Sequence, residues 1–415
     1  MTFEVTRRDL GRGLAGLLLP SAVAHAQTTG GALSLSNSNV TASWKFSHGS
    51  FQAVKISNAP LAPDAFSLVL EGGRVMKSSE LTVTSKPAFT KLAGDPKSIR
   101  RAGRRPGRRL TAHFRDPASG AAIEWRAILL DSSRYVRQEV IITAGSQDLP
   151  IREVVLWNLD VPGAAVVGTV KGSPAVAGGT YLACEHPLST TTVEGSRVLC
   201  SLSRKLPIRA GQSFACSSVI GFAAQGQLRR SFLEYVEDQR AHPYRTFLHY
   251  NTWYDIGYFS KYDDAAALNR IHAFGTELRQ KRGVTLDSFL FDDGWDDPAS
   301  LWSFHAGFPN GFAPAGKAAA GYGSGIGVWL SPWGGYGKPK QDRIRLGGQQ
   351  GFEIQDGGFA LSGPKYYARF RDVCRRMIAE YGVNQFKFDG TGNANKVSPG
   401  SQFDSDFDAA ITLID

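Results

Sequence analysis

A change of hydrophobic rhythm near residue 245 constrains this chain more than any other feature. From about Gly31 to Arg240 the apolar residues fall in short alternating runs. Examples are Ala42–Phe46, Phe66–Leu70, Ala122–Ile128, Tyr135–Ile142 and Ile151–Trp157, punctuated by Gly, Pro, Asn and Asp. A period of two is that of a strand with one buried face, and many short strands at this spacing predict an antiparallel β-sandwich. From about Arg245 strand-like runs alternate with helical spacing instead. Phe247–Trp253 leads to Asp263-Asp264 and then Leu268, Ile271, Phe274 and Leu278, ended by Gly283. Ser288–Phe291 and Ile326–Leu330 follow as strands. Phe370, Val373, Cys374, Met377, Ile378 and Tyr381 then mark one face of a helix between Pro364 and Gly382, ahead of the strand Gln385–Phe388. Alternating strand and helix predict a parallel α/β barrel or open sheet. The domains expected are residues 27–243 for the sandwich and 244–415 for the α/β part.

Residues 1–26 read as an export leader. Thr6-Arg7-Arg8-Asp9-Leu10 precedes the apolar Leu14–Leu19 and the small-residue site Ala24-His25-Ala26. That order predicts a twin-arginine signal peptide cut after Ala26, and a periplasmic or secreted protein.

Charge excludes other classes. The chain carries 47 basic and 37 acidic residues, a formal +10, yet Lys97–Arg109 alone supplies seven of the cations and no acid. A basic face for nucleic acid is not expected from so local an excess. With Gly103, Pro106 and Gly107 inside it, the run reads as a solvated loop, a site for a polyanion being the competing reading. No apolar stretch of about 18 residues occurs, so no membrane-spanning helix is expected. Of four cysteines, Cys374 falls on the apolar helix face and reads as core. Cys184, Cys200 and Cys216 allow one disulfide with one thiol left over.

The acids of the second half collect after strands: Asp292 and Asp293 after one, Asp389 after another. Trp253, Trp295 and Trp329 lie at comparable strand ends, and Lys387 is two residues before Asp389. Parallel strands open all their carboxyl ends onto one face, where active sites lie. Carboxylates, an amine and indoles around one pocket suit a sugar: the acids accept from ring hydroxyls and the indoles stack on its C–H face. Each acid also has a plain structural reading, as a turn or helix cap. Other motifs carry less. Gly321–Gly327 lacks a dinucleotide-binding register, and the histidines lack metal-ligand spacing, so neither cofactor nor metal is expected. Cys184-Glu185-His186 alternate across an extended strand and read as loop and turn before Pro187.

Asn251-Thr-Trp-Tyr254, Asp292-Asp-Gly-Trp295, Gly327-Val-Trp-Leu-Ser-Pro332 and Lys387-Phe-Asp389 follow in an order that resembles the melibiase-type α-galactosidases, relatives of raffinose synthases and α-N-acetylgalactosaminidases. Trp302 and Gly307–Phe312 resemble a further segment of that family. The resemblance covers roughly residues 247–393. It implies a (β/α)8 barrel behind a β-sandwich, terminal α-galactosyl groups of an oligosaccharide or glycoconjugate as substrate, and a retaining double displacement. Asp389 resembles the nucleophile. Lys387 resembles the residue that holds sugar hydroxyls, Asp292 and Asp293 the pair gripping the 4- and 6-hydroxyls, and Trp253, Trp295 and Trp329 the walls of the subsite.

A retaining mechanism needs a second carboxyl group about 5–5.5 Å from the nucleophile. In the resembled family it follows a later barrel strand, whereas here 26 residues follow Asp389, and Asp404, Asp406 and Asp408 are not assigned the role. Only 169 residues run from Phe247 to the end, against about 250 for a full barrel. The expectation is an incomplete (β/α)8 barrel of four strands in a fragment lacking the acid/base. Its open edges would favour pairing with another copy of the chain. Two other readings stand beside hydrolysis: a catalytically inactive galactoside-binding protein and a raffinose-synthase-like transglycosylase.

Overall fold

The computed structural model describes residues 23–257, 260–390 and 396–414. Its contacts divide into two compact units, Met1–Tyr244 and Arg245–Asp415. The paired arginines and apolar core of the leader lie outside the described residues. The expected cleavage site, Ala24-His25-Ala26, lies within the described residues: Ala24 is buried and its backbone N–H donates to Asp131 Oδ1 at 2.6 Å. The strand His25–Thr29 pairs with Ala32–Ser36, so a cut after Ala26 removes that anchor and two of the strand's five residues.

The first unit holds a five-stranded, an eight-stranded and a second five-stranded sheet, every pairing antiparallel. Period-two alternation decides which face turns inward. In Ala122–Leu130, Ile123, Trp125, Ala127 and Leu129 are buried, and the residues between them are more open. Inward residues of all three sheets share one apolar core. At its centre Trp44 meets Trp125 edge-on at 5.5 Å, and Phe114 meets Phe51 and Phe66. The indole N–H of Trp125 donates to Gln138 Oε1, whose amide in turn donates to Leu156 O and Ser218 Oγ, satisfying the buried polar groups. Cys184, Cys200 and Cys216 are free thiols, as is Cys374.

The basic run departs from the expected solvated loop. Ala102–Arg104 forms a 3-10 turn, and Gly107–Arg115 is a strand of the eight-stranded sheet. The anchor is Asp238 near the end of helix α1 (Leu228–Gln239), a fully buried carboxylate. It pairs with Arg105, with Arg101 Nε at 3.2 Å, and accepts from the Tyr135 hydroxyl at 3.0 Å. Burial, reinforced by that carboxylate, pushes the Tyr135 phenol well above its ordinary range. Glu185 is likewise engaged, by Arg137 Nε at 2.5 Å and the Tyr235 hydroxyl at 2.7 Å.

The second unit is built on four parallel strands, taken in chain order: His249–Asn251, Ser288–Phe291, Gly325–Leu330 and Val383–Phe388, adjacent in that same order. Helices α2 (Asp264–Phe274, running on through a π-helical stretch Gly275–Gln280), α3 (Ala313–Gly321), α4 (Gly337–Gln349) and α5 (Pro364–Tyr381) lie between them in sequence, and α6 (Asp406–Ile414) follows. The caps follow local chemistry. Asp263 Oδ1 accepts from Ala266 N at 2.8 Å to start α2, and Gly382 ends α5 in the left-handed conformation at φ +64°. The second and third strands are buried on both faces, as central parallel strands require, whereas the fourth is half-open. Among the described residues the parallel sheet therefore has four strands and does not close. No helix among them is long and apolar enough to cross a membrane.

Removing the charge that anchors the basic run leaves Arg105 without its carboxylate. Asp238→Ala is expected to cost about 2–3 kcal/mol, below the usual figure for a wholly buried pair because Arg105 is partly open. The check is a lower denaturant midpoint at unchanged slope.

Candidate active site

All four strands of the second unit run the same way, so the residues that follow them emerge along one edge. Hydrogen bonds from the backbone knit that edge: Asp292 N donates to the Thr252 side-chain Oγ1 at 2.8 Å and Asp389 N to Leu330 O at 2.9 Å. Gln385, Lys387 and Asp389 share one side of the fourth strand by alternation. Lys387 Nζ donates to Asp292 Oδ2 at 2.8 Å and lies 3.8 Å from Asp389 Oδ2. One ammonium thus bridges the acids of the second and fourth strands. Asp292 is almost wholly buried, while Asp389 and Lys387 each keep about a third of the side chain open: 34% and 35%.

Asp389 accepts from two further donors. Trp329 Nε1 reaches Oδ2 at 3.1 Å, and the Tyr336 hydroxyl reaches Oδ1 at 3.0 Å. The phenol of Tyr336 is raised by burial and by the carboxylate it faces. Trp329 is fixed from several sides. Its carbonyl accepts from Trp295 Nε1 at 3.0 Å, and Arg343 lies 5.6 Å from its ring centre. Trp329 and Trp295 are both buried: Trp329 turns its indole N–H to Asp389, and Trp295 packs against Phe304 and Phe312. Trp253, at the end of the first strand, is half-buried in a 3-10 turn, its N–H held by Asn251 Oδ1 at 2.9 Å.

Asp293 turns away from Lys387 into a second cluster. Arg343 of α4 is fully buried and donates to Asp293 Oδ1 at 3.2 Å, to both oxygens of Asp296 at 2.6 and 3.0 Å, and to Gly334 O at 3.0 Å. Its guanidinium also lies 4.5 Å from the Trp302 ring centre. Burial raises the Asp293 carboxyl, and Arg343 offsets that only in part. Burial lowers the guanidinium, but Asp296 and Asp293 outweigh it and hold the arginine above its ordinary value. The turn that separates the acids demands glycine: Gly294 sits at φ +120°, and a Cβ there would stand 2.5 Å from Ser260 O.

Backbone strain adjoins the cluster. Leu301 and Trp302 both adopt positive φ, +51° and +70°. Arg369 Nη2 donates to Leu301 O at 2.9 Å and Arg376 Nη2 to Trp302 O at 2.8 Å, so α5 holds both carbonyls in place. The downstream acids serve structure: Asp406 Oδ1 accepts from Ser362 N and Oγ, and Asp408 Oδ2 accepts from Asp404 N. The sequence reading gathered Asp292, Asp293, Lys387, Asp389 and Trp329 at this edge. It did not single out Asp296, Tyr336 or Arg343.

No protein-family model and no curated protein matches the sequence. Solved structures do match. A GH36 α-galactosidase of Geobacillus stearothermophilus, AgaB, superposes with a TM-score of 0.62 at 11% identity, over 94% of this chain and 69% of its own. The α-galactosidase of Lactobacillus brevis gives 0.56 at 12% identity, over 89% and 64%. This chain shares the fold of GH36 α-galactosidases. A variant of a second Geobacillus stearothermophilus enzyme, AgaA, solved in complex with raffinose, gives 0.56 at 11% identity over 92% and 69%. The chain thus spans about two thirds of the length of the solved structures it matches.

Arg343→Met leaves Asp293 and Asp296 buried without a cation and is expected to cost about 3–5 kcal/mol in denaturant unfolding. Arg343→Lys recovers only part of the loss, because an ammonium cannot reach both carboxylates and Gly334 O from one planar fork.

Proposed function

We propose that this chain carries the nucleophile side of a retaining α-galactosidase. The observation that carries the reading is the bridge of Lys387 between Asp292 and Asp389, with Asp389 open to solvent at the carboxyl edge of a parallel sheet. Asp389 attacks the anomeric carbon and forms a glycosyl ester, while Lys387 holds ring hydroxyls and stabilises the carboxylate. Arg343 takes only Oδ1 of Asp293, which leaves Oδ2 for a sugar hydroxyl. Asp292 acts beside it through Lys387. The galacto-preference is assigned to this pair. Support comes from the shared fold and from the saccharide named with an AgaA variant, raffinose. The four parallel strands are read as the first half of a (β/α)8 barrel, and the proton donor for the leaving group is assigned to none of Asp404, Asp406 or Asp408.

The test uses an α-galactosyl fluoride fluorinated on the ring, whose fluoride departs without a general acid. Mass spectrometry of the digested protein should place one galactosyl adduct on Asp389, and Asp389→Asn should remain unlabelled. The gluco epimer should label at least about tenfold more slowly, since buried acids built to bind an axial hydroxyl are left unpaired. Absence of label with galactose still bound in calorimetry would favour a sugar-binding protein without hydrolysis.

Export through the twin-arginine route is part of the same proposal, resting on Arg7-Arg8 and the apolar stretch after them. Replacing both arginines by lysine is expected to keep the protein in the cytoplasm, read as its loss from the periplasmic fraction. Equal export of both forms would remove the assignment.

A further inference from the structure

The two oxygens of Asp389 are held in unlike ways. Oδ2 faces the indole N–H of Trp329, a buried side chain clamped by Trp295 and Arg343, with Lys387 beyond it. Oδ1 is bonded by Tyr336, which is 45% exposed. Tyr336 lies in a glycine-rich segment ahead of α4. Gly334, Gly335 and Gly337 around it have φ of +103°, +88° and +57°, and a Cβ at Gly335 would lie 2.7 Å from Arg343 Nη1. The carbonyl of Gly334 is pinned by that arginine and the Tyr336 carbonyl accepts from Lys340 N at 3.2 Å, so the backbone is held on both sides while the half-exposed phenol ring is the part with room to turn. Lys340, on the first turn of α4, packs its ammonium 4.2 Å from the Trp333 ring centre on the same segment.

We propose that Tyr336 guards the attacking oxygen of Asp389. The proposal rests on reading Asp389 as the nucleophile. Oδ2 is the held oxygen, and Oδ1 is the one that bonds to the sugar. A lone pair of Oδ1 forms the bond to the anomeric carbon as the bond to the leaving group breaks and that group departs with its electron pair. A hydroxyl donated to that lone pair must withdraw first, and the half-exposed ring of Tyr336 turns out while Arg343 keeps the base of the segment in place. Binding a sugar therefore includes the loss of one charge-assisted hydrogen bond, which sets the affinity of the site more than its limiting rate. Trp329 and Lys387 keep Oδ2 oriented throughout.

The experiment is the kinetics of Asp389 labelling by the ring-fluorinated α-galactosyl fluoride, on wild type, Tyr336→Phe and Tyr336→Ala. Removing the hydroxyl should lower the half-saturating reagent concentration by about threefold to tenfold, the worth of one hydrogen bond weakened by solvent at a half-exposed phenol, and leave the limiting labelling rate within about twofold. Both variants should show it, and thermal melting should match wild type because the side chain is half exposed. An unchanged or raised half-saturating concentration in Tyr336→Phe overturns the proposal, as does a tenfold fall in limiting rate. Improvement in Tyr336→Ala alone also overturns it, since ring bulk and not the hydroxyl would then be at work. A wild type that takes no label removes the nucleophile assignment together with the guard, whereas a labelled wild type that Tyr336→Phe matches in both parameters removes the guard alone.

Discussion

The site depends on a cation that has no contact with solvent. Arg343 satisfies its guanidinium with two carboxylates, one carbonyl and the faces of two indoles. Moving such a charge out of water costs several kcal/mol, and only good geometry with further hydrogen bonds offsets it. That requirement propagates. Asp293 and Asp296 must flank the turn at Gly294, Trp302 must present its face despite a left-handed backbone, and Gly334 must place its carbonyl. The acids after the second strand and the segment after the third are therefore fixed to one another through α4. Lys387 and Asp389 are laid beside that base by the fourth strand.

The two halves of the cluster do different physical work. Around Lys387 one ammonium, itself about a third open, is shared between the buried Asp292 and the partly open Asp389. Around Arg343 the partners are buried and the fork is planar, so exchange would strand a charge. Asp292 and Asp293 are adjacent in sequence, and the Asp293 N–H even donates to Asp292 Oδ1, yet each belongs to a different one of these environments.

What the sequence made legible follows from range. Strand-end acids and Lys387 stand out because apolar runs such as Ser288–Phe291 and Ile326–Leu330 announce parallel strands, and parallel strands put their ends together. Helix α5 is legible for the same reason: six apolar positions at helical spacing, Pro364 before and Gly382 after. Helix α4 was not. Pro339, Gly347 and Gly348 lower its helix propensity, and Arg343 sits among Lys338, Lys340 and Arg345 like any solvated cation. Its partners are 47 and 50 residues away, so nothing local marks it as buried. Tyr336 is hidden likewise, 53 residues from Asp389. The basic run misled in the same manner, because Asp238, which draws Arg105 inward, lies 133 residues downstream.

That anchoring changes how the run meets a protease. Seven cations in thirteen residues look like an open invitation to trypsin. Arg105 precedes Pro106, Arg108 and Arg109 sit inside a paired strand, and Arg101 is drawn to Asp238. Susceptible backbone contracts to the stretch from Lys97 through Arg100 to the exposed Arg104, so nicking there would leave the sheet intact and the two pieces held together. A segment written as a solvated loop behaves as a buckle.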